Sequence, residues 1–201
     1  MSTMLRIGPH DHGREMTYED FLAGDYEEGY RYELIRGELC VSPQPNPAHD
    51  EMAEYLDELL TVYKLNNRKI VKRLSSHCRV FVPGERKTTC PEPDFALYND
   101  YARGSGQKSW QKFSPFIVVE IVSDSDPGKD YVRNVELYQK VPTIMEYWLF
   151  DKVDEVDGPT MRVYHRDSGD HDWRSDDYGP DATYTTSLLP GFSLPVSPDA
   201  E

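Results

Sequence analysis

The chain has 201 residues, an apolar fraction of 38% that includes 14 tyrosines, and a net charge of −14. That length suits one domain, the apolar content supports a packed core, and the interspersed charges exclude global disorder. No apolar run reaches membrane-spanning length, no basic stretch followed by an apolar one opens the chain, and three widely spaced cysteines (Cys40, Cys78, Cys90) fit neither a disulfide framework nor a zinc knuckle, so a cytoplasmic protein with no membrane partner is expected.

Residues 1–15 show no period and are expected to form an N-terminal arm, with a single domain over 16–198. Thr17 followed by Glu19 and Asp20 predicts a capped short helix through Leu22. Tyr30 to Val41 reads as two strands joined at Arg36-Gly37. Asn46-Pro47 then opens the clearest helix, because Asn caps well and Pro suits the first turn, and Met52, Leu56, Leu59, Leu60 and Tyr63 form one apolar face. Lys69 to Val82 is strand-like and ends at Pro83-Gly84. Phe95 to Tyr98 reads as a strand, and 99–114 as a mobile polar loop. Phe116 to Val122 is the strongest strand, apolar on both faces. After a loop over 123–128, Asp130 to Lys140 predicts a short helix with Val132 and Val135 inward. Met145 to Phe150 is a further buried strand, and the strand–helix–strand order predicts a crossover. Shorter strands are expected at Met161 to His165 and near Trp173, with an extended stretch over Leu188 to Val196.

Charge and chemistry pull in different directions. A nucleic-acid binder usually presents a basic face, since phosphate neutralisation supplies most of the affinity. Here the chain is acidic, with basic residues gathered at Lys64, Arg68, Lys69, Lys72 and Arg73, and again at Arg79, Arg86 and Lys87. Glu120 lies in the middle of the most apolar strand, where an unpaired carboxylate costs several kcal/mol. It needs a partner. Asp94 begins another predicted strand, so if the two strands are neighbours both carboxylates can face one ion. Two carboxylates plus water suit Mg²⁺ or Mn²⁺ better than zinc. Such an ion polarises a phosphodiester and acidifies the attacking water. The bland alternatives are a Glu120 paired with Arg or Lys and an Asp94 that marks a turn. No phosphate-binding glycine loop, dinucleotide fingerprint or serine elbow is present.

In order along the chain stand RYELIRGEL (31–39), a proline-rich turn followed by His49 and a helix, PEPDFALY (91–98), FIVVEIVSDSD (116–126) and DYVRNVELYQKVPTIMEYWLFD (130–151). This ordered set resembles the Uma family of restriction-endonuclease-like proteins, a branch of the PD-(D/E)XK nucleases, over about residues 16–155. The resemblance implies an α/β restriction-endonuclease-like fold: a central mixed sheet flanked by helices, with extra N-terminal and C-terminal strands. It implies that Asp94 and Glu120 are metal ligands, that Glu33 is the N-terminal acidic residue facing the site, and that His49 opens the first long helix.

One departure concerns the lysine. Two residues after the acid, where the superfamily places it, stands Val122. Four residues before the helical tyrosine, Tyr138, where the Uma-like proteins place it, stands Asn134. Arg133 lies about 100° round a helix from Asn134, and Lys129 lies a turn earlier; either could supply the charge. Asp130 can bond to its helix terminus or to the site, with the cap the expected use. The expected activity is Mg²⁺-dependent hydrolysis of DNA phosphodiester bonds, by Asp94 and Glu120 with Lys129, Arg133 or Asn134. The alternative is a decayed nuclease fold used for binding or assembly. Exposed sheet edges permit a homodimer.

Overall fold

The computed structural model describes residues 5–76, 78–101, 111–122, 126–151 and 158–199. The predicted loop over 99–114 and the one over 123–128 each fall partly outside them.

β1 (Arg6–Ile7) pairs in parallel with β2 (Asp25–Tyr26), and Ile7 is wholly buried. Between them α1 (Tyr18–Ala23) starts at Thr17, whose hydroxyl accepts the Asp20 backbone N–H. β3 (Tyr30–Ile35) and β4 (Glu38–Pro43) form the expected hairpin, with Arg36 at φ 53° and Gly37 at φ 77°. Two successive positive φ values give the turn the twist that a tight hairpin requires. Ile7, Tyr18, Phe21, Tyr32, Leu34, Leu39 and Cys90 make a small core of their own here.

α2 (Pro47–Asn66) is the one long helix among the described residues. Asn46 caps it, its side chain accepting the His49 N–H. The strand expected over Lys69 to Val82 is shorter: β5 is Arg73–Ser76. Residues 69–71 close a turn onto Asn67, and 80–82 bond instead to 89–91, through Val80 N–H to Pro91 O and Val82 N–H to Thr89 O. β6 (Phe95–Tyr98), β7 (Ile117–Ile121), β8 (Glu146–Asp151), β9 (Thr160–His165) and β10 (Arg174–Tyr178) complete a six-stranded sheet ordered β10-β9-β8-β7-β6-β5. Only the central β7–β8 pair is parallel. The short pair β11 (Thr183–Tyr184) and β12 (Leu194–Pro195) closes the C-terminal end.

The sheet has two covered faces. α2 places Met52, Leu56, Leu60 and Tyr63 on one, against Phe95, Leu97, Ile117, Val119, Trp148 and Phe150, with Phe192, Leu194 and Val196 completing that layer. The other face carries Val118, Val122, Tyr147 and Leu149, packed on Leu137, Tyr138, Val141 and Ile144 of the β7–β8 crossover. Even-numbered positions of β7 therefore look toward the crossover, and Glu120 is one of them.

The crossover departs from the predicted helix. Lys129–Asn134 is a π-helical turn that runs into α3 (Val135–Gln139). Val132, expected inward, is 69% exposed, whereas Asp130 and Asn134 are wholly buried. A π turn bonds i to i+5 and shifts which residues share a face.

A surface cluster ties crossover to hairpin. Lys140 Nζ donates to Glu85 and to Glu136, each at 2.7 Å, and Arg36 Nη2 donates to Glu136 at 2.6 Å. The hydrogen bonds from Lys140 hold both carboxyls below their ordinary range. A depressed carboxyl stabilises the fold above its unfolded pKa and loses that effect as pH falls through its folded value. Lys140→Met should therefore cost up to about 1 kcal/mol at neutral pH, and nothing once both carboxyls are protonated. Urea unfolding at the two pH values measures this.

Candidate active site

β6 and β7 run antiparallel with Phe95 opposite Val119. Extending that pairing by one residue sets Asp94 opposite Glu120, and opposite residues of an antiparallel pair share a face. The neighbourhood assumed from sequence is thus realised. Both carboxylates are buried, Asp94 4% and Glu120 1% exposed. The Ile121 N–H, next to Glu120 in the chain, donates to Asp94 Oδ2 at 2.8 Å.

Asp94 is heavily partnered. Arg31 Nη1 donates to its Oδ1 at 2.6 Å, and His49 Nε2 stands 3.2 Å from its Oδ2. Burial works against the Asp94 charge, but the His49 hydrogen bond, the Arg31 guanidinium and the Ile121 N–H outweigh it. They hold the carboxyl far below its usual range. Glu120 is the opposite case. Asn134 Nδ2 at 2.9 Å and the Tyr138 hydroxyl at 2.8 Å both donate to its Oε1, and both donors are neutral. Burial pushes the Glu120 carboxyl well above its ordinary range; Lys129 opposes this, while Asp130, Asp94 and Glu33 reinforce it. Glu120 thus differs from Asp94 in having only neutral hydrogen-bond donors on its carboxyl.

The structure separates the three candidates for the missing lysine. Asn134 sits on Glu120, bridging it to Asp130 Oδ1 at 3.1 Å. Arg133 is committed elsewhere: its Nη2 donates to Glu33 Oε2 at 2.7 Å and its Nε to Asn134 Oδ1 at 3.0 Å. Lys129 holds its ammonium 3.6 Å from Asp130 Oδ1, beyond hydrogen-bond length, with the side chain 13% exposed. Burial disfavours its charge, yet Glu120, Glu33 and Asp130 raise its pKa above the ordinary lysine value. It stays protonated at neutral pH. In an α-helix Lys129 would sit about 140° round from Asn134; the i to i+5 pattern of the π turn brings it back to the same side.

Glu33 is brought to the site but both its oxygens are taken, Oε1 by the Glu92 N–H at 2.8 Å and Oε2 by Arg133. Asp130, read as a cap, instead faces Asn134 and Lys129, while its carbonyl accepts the Tyr147 hydroxyl at 3.1 Å. Arg31 was missed. The signal was available: strand alternation puts Arg31 and Glu33 on one face of β3.

A pocket of about 400 Å³ opens over this arrangement, lined among others by Arg31, Glu33, His49, Asp94, Lys129 and Arg133. Among the described residues no three His, Cys, Asp or Glu side chains converge as metal ligands. Asp94 and Glu120, on neighbouring strands, carry carboxylate oxygens, hard donors of the kind a magnesium-like ion takes while keeping most of its water, and of the two Asp94 lines the pocket.

The sheet order, the two opposed carboxylates and the crossover that carries their partners define a nuclease-like fold, and the comparisons agree. The sequence matches, over residues 18–197, the Uma2 family model described as "Putative restriction endonuclease", and the chain belongs to that family. A crystal structure of a putative nuclease belonging to DUF820 from Anabaena variabilis ATCC 29413 superposes with a TM-score of 0.63 at 17% identity, covering 90% of this chain and 95% of that one. No curated protein matches the sequence. Among the described residues no helix is long and apolar enough to cross a membrane.

Proposed function

We propose that the chain is a Mg²⁺- or Mn²⁺-dependent endonuclease that hydrolyses DNA phosphodiester bonds at the Asp94–Glu120 site. The observation that carries this is the pair of buried carboxylates on one face of the neighbouring strands β6 and β7, with Asp94 lining a pocket that Lys129 and Arg31 also line. Asp94 and Glu120 would hold the ion, with Glu33 anchoring Arg133 behind them. When bound, the ion supplies a Lewis acid for the phosphoryl oxygen and a more acidic water.

The protein groups have separate tasks. Arg31 and His49 fix Asp94, and Asn134 and Tyr138 fix Glu120. Lys129, charged and not hydrogen-bonded among the described residues, faces the non-bridging oxygens and stabilises the charge that grows on them as phosphorus becomes five-coordinate. Both Lys129 and Arg133 line the pocket, but Arg133 is committed to Glu33 and Asn134, which supports assigning Lys129 the role of the displaced lysine.

The test is cleavage of plasmid and single-stranded DNA with Mg²⁺ or Mn²⁺. Activity should exceed that of the double variant Asp94→Ala, Glu120→Ala; equal rates would remove the enzyme reading. A second reading, a decayed nuclease fold that binds or assembles, is favoured by the net charge of −14 and by Asn134 at the position where the Uma-like proteins place their lysine. Calorimetric titration separates the two, since that reading requires no divalent-ion binding at millimolar concentration.

A further inference from the structure

A second hollow, of about 410 Å³, adjoins the first. It is lined by Tyr26, Tyr30, Tyr32, Gln44, Arg79 and Arg31 together with Glu92. Arg31 belongs to both: its Nη1 is on Asp94, while its buried Nε has no hydrogen-bond partner among the described residues. The three tyrosine rings form one group, Tyr26 and Tyr32 with centroids 4.6 Å apart and Tyr30 and Tyr32 6.5 Å apart. Two are fixed by their hydroxyls, Tyr26 on Phe21 O and Tyr32 on Glu27 O at 2.9 Å. Tyr26 and Tyr30 remain partly exposed.

Resting on the nuclease reading, we propose that this hollow receives an unstacked nucleobase of single-stranded DNA, next to the phosphate held over Asp94. The cations here are poorly suited to phosphate. Arg79 stands 3.6 Å from Glu92 and lies over the Phe21 ring at 4.5 Å, and Arg31 is paired with Asp94. What the hollow offers is π surface: rings held in place and guanidinium planes, the groups on which unpaired bases stack. A duplex keeps its bases stacked on each other and cannot enter without extruding one. Stacking also answers the charge problem. A chain of net charge −14 gains little from counterion release, so affinity built on rings should change little with salt.

Binding is measured in chelator by fluorescence anisotropy, with a labelled oligothymidylate and the same strand annealed to its complement. The single strand should bind tighter than the duplex, with a shallow salt dependence. Tyr30→Ala should weaken it about fivefold or more, Tyr30→Leu should do the same, and Tyr30→Trp should retain it. The pair Tyr30→Leu and Tyr30→Trp keeps a large side chain in place, so loss in one alone reports stacking rather than misfolding. Equal binding of duplex and single strand, no binding of either, or a folded Tyr30→Leu protein with unchanged affinity would each overturn the proposal. Nothing is cut in chelator, so these outcomes are independent of the Asp94/Glu120 test. An enzyme that cleaves without dependence on Tyr30 keeps the nuclease reading and loses this one.

Discussion

Lys129→Met should lower the rate of DNA cleavage by about two to three orders of magnitude, the range seen when one preorganised donor to a growing negative charge is removed. The substitution takes from the pocket wall an ammonium that makes no hydrogen bond among the described residues and is held charged by Glu120, Glu33 and Asp130. Arg133→Met should act differently, because Arg133 is committed to Glu33 and Asn134. Its removal strips a charge partner from a buried carboxylate, so it should appear mainly as lost stability. Adding Asn134→Lys to Lys129→Met would return a cation to Glu120 from the neighbouring face and should recover part of the rate. Single-turnover rates, with thermal melts as the control for folding, measure all three. Cleavage that is unchanged in Lys129→Met would mean that the site works without a lysine.

The second large effect concerns stability. Arg31→Met should destabilise the metal-free protein by about 3–5 kcal/mol at neutral pH, the cost of leaving one member of a buried ion pair behind. The pair is close, 2.6 Å, with side chains 15% and 3% exposed. Adding Asp94→Asn removes the stranded charge, so the double variant should recover most of the loss, with the coupling read from a double-mutant cycle. The sign with pH follows from the lowered Asp94 carboxyl. Its stabilising contribution is present above the unfolded value of an aspartate and is lost only as pH falls through the much lower folded one. In Arg31→Met the deficit should therefore shrink on acidification, as the unpaired Asp94 takes up a proton. Chemical denaturation in chelator across the acid range measures it. A deficit that is constant with pH would place the effect in packing rather than charge.

The two carboxylates were legible because each broke a local pattern. Glu120 sits where every neighbour is apolar, and burial logic alone demands a partner. Asp94 immediately precedes a strand with a clear apolar run. Their apposition was not legible, since it rests on a strand register that no local signal sets. The helix after β7 shows the same limit more sharply. An α-spaced reading turns Val132 inward and makes Asp130 a cap, but the side-chain contacts made by Asp130, Asn134 and Tyr138 hold a π turn that exposes Val132 instead. Two of those contacts run to Glu120 on β7, outside the segment, so the spacing within Lys129 to Asn134 does not by itself set the turn. The stretch over 80–82 failed as a strand for a related reason: its residues alternate like a strand, but their hydrogen bonds go to 89–91, outside the sheet. Arg31 was legible too, since the two-residue period of β3 puts it on one face with Glu33.

The π turn also bears on how such sites drift through descent. A turn of this kind arises when one residue enters an α-helix without displacing the rest, so a charged side chain can change its place in the chain and keep its place in space. A pattern that demands lysine at a set interval from the acid or from the helical tyrosine finds Val122 or Asn134 here and scores the chain as inert. Counted by position in the pocket, the positive charge is present on Lys129. Lineages that look degenerate by spacing would then divide into two kinds: those that lost the charge, and those that moved it by one turn.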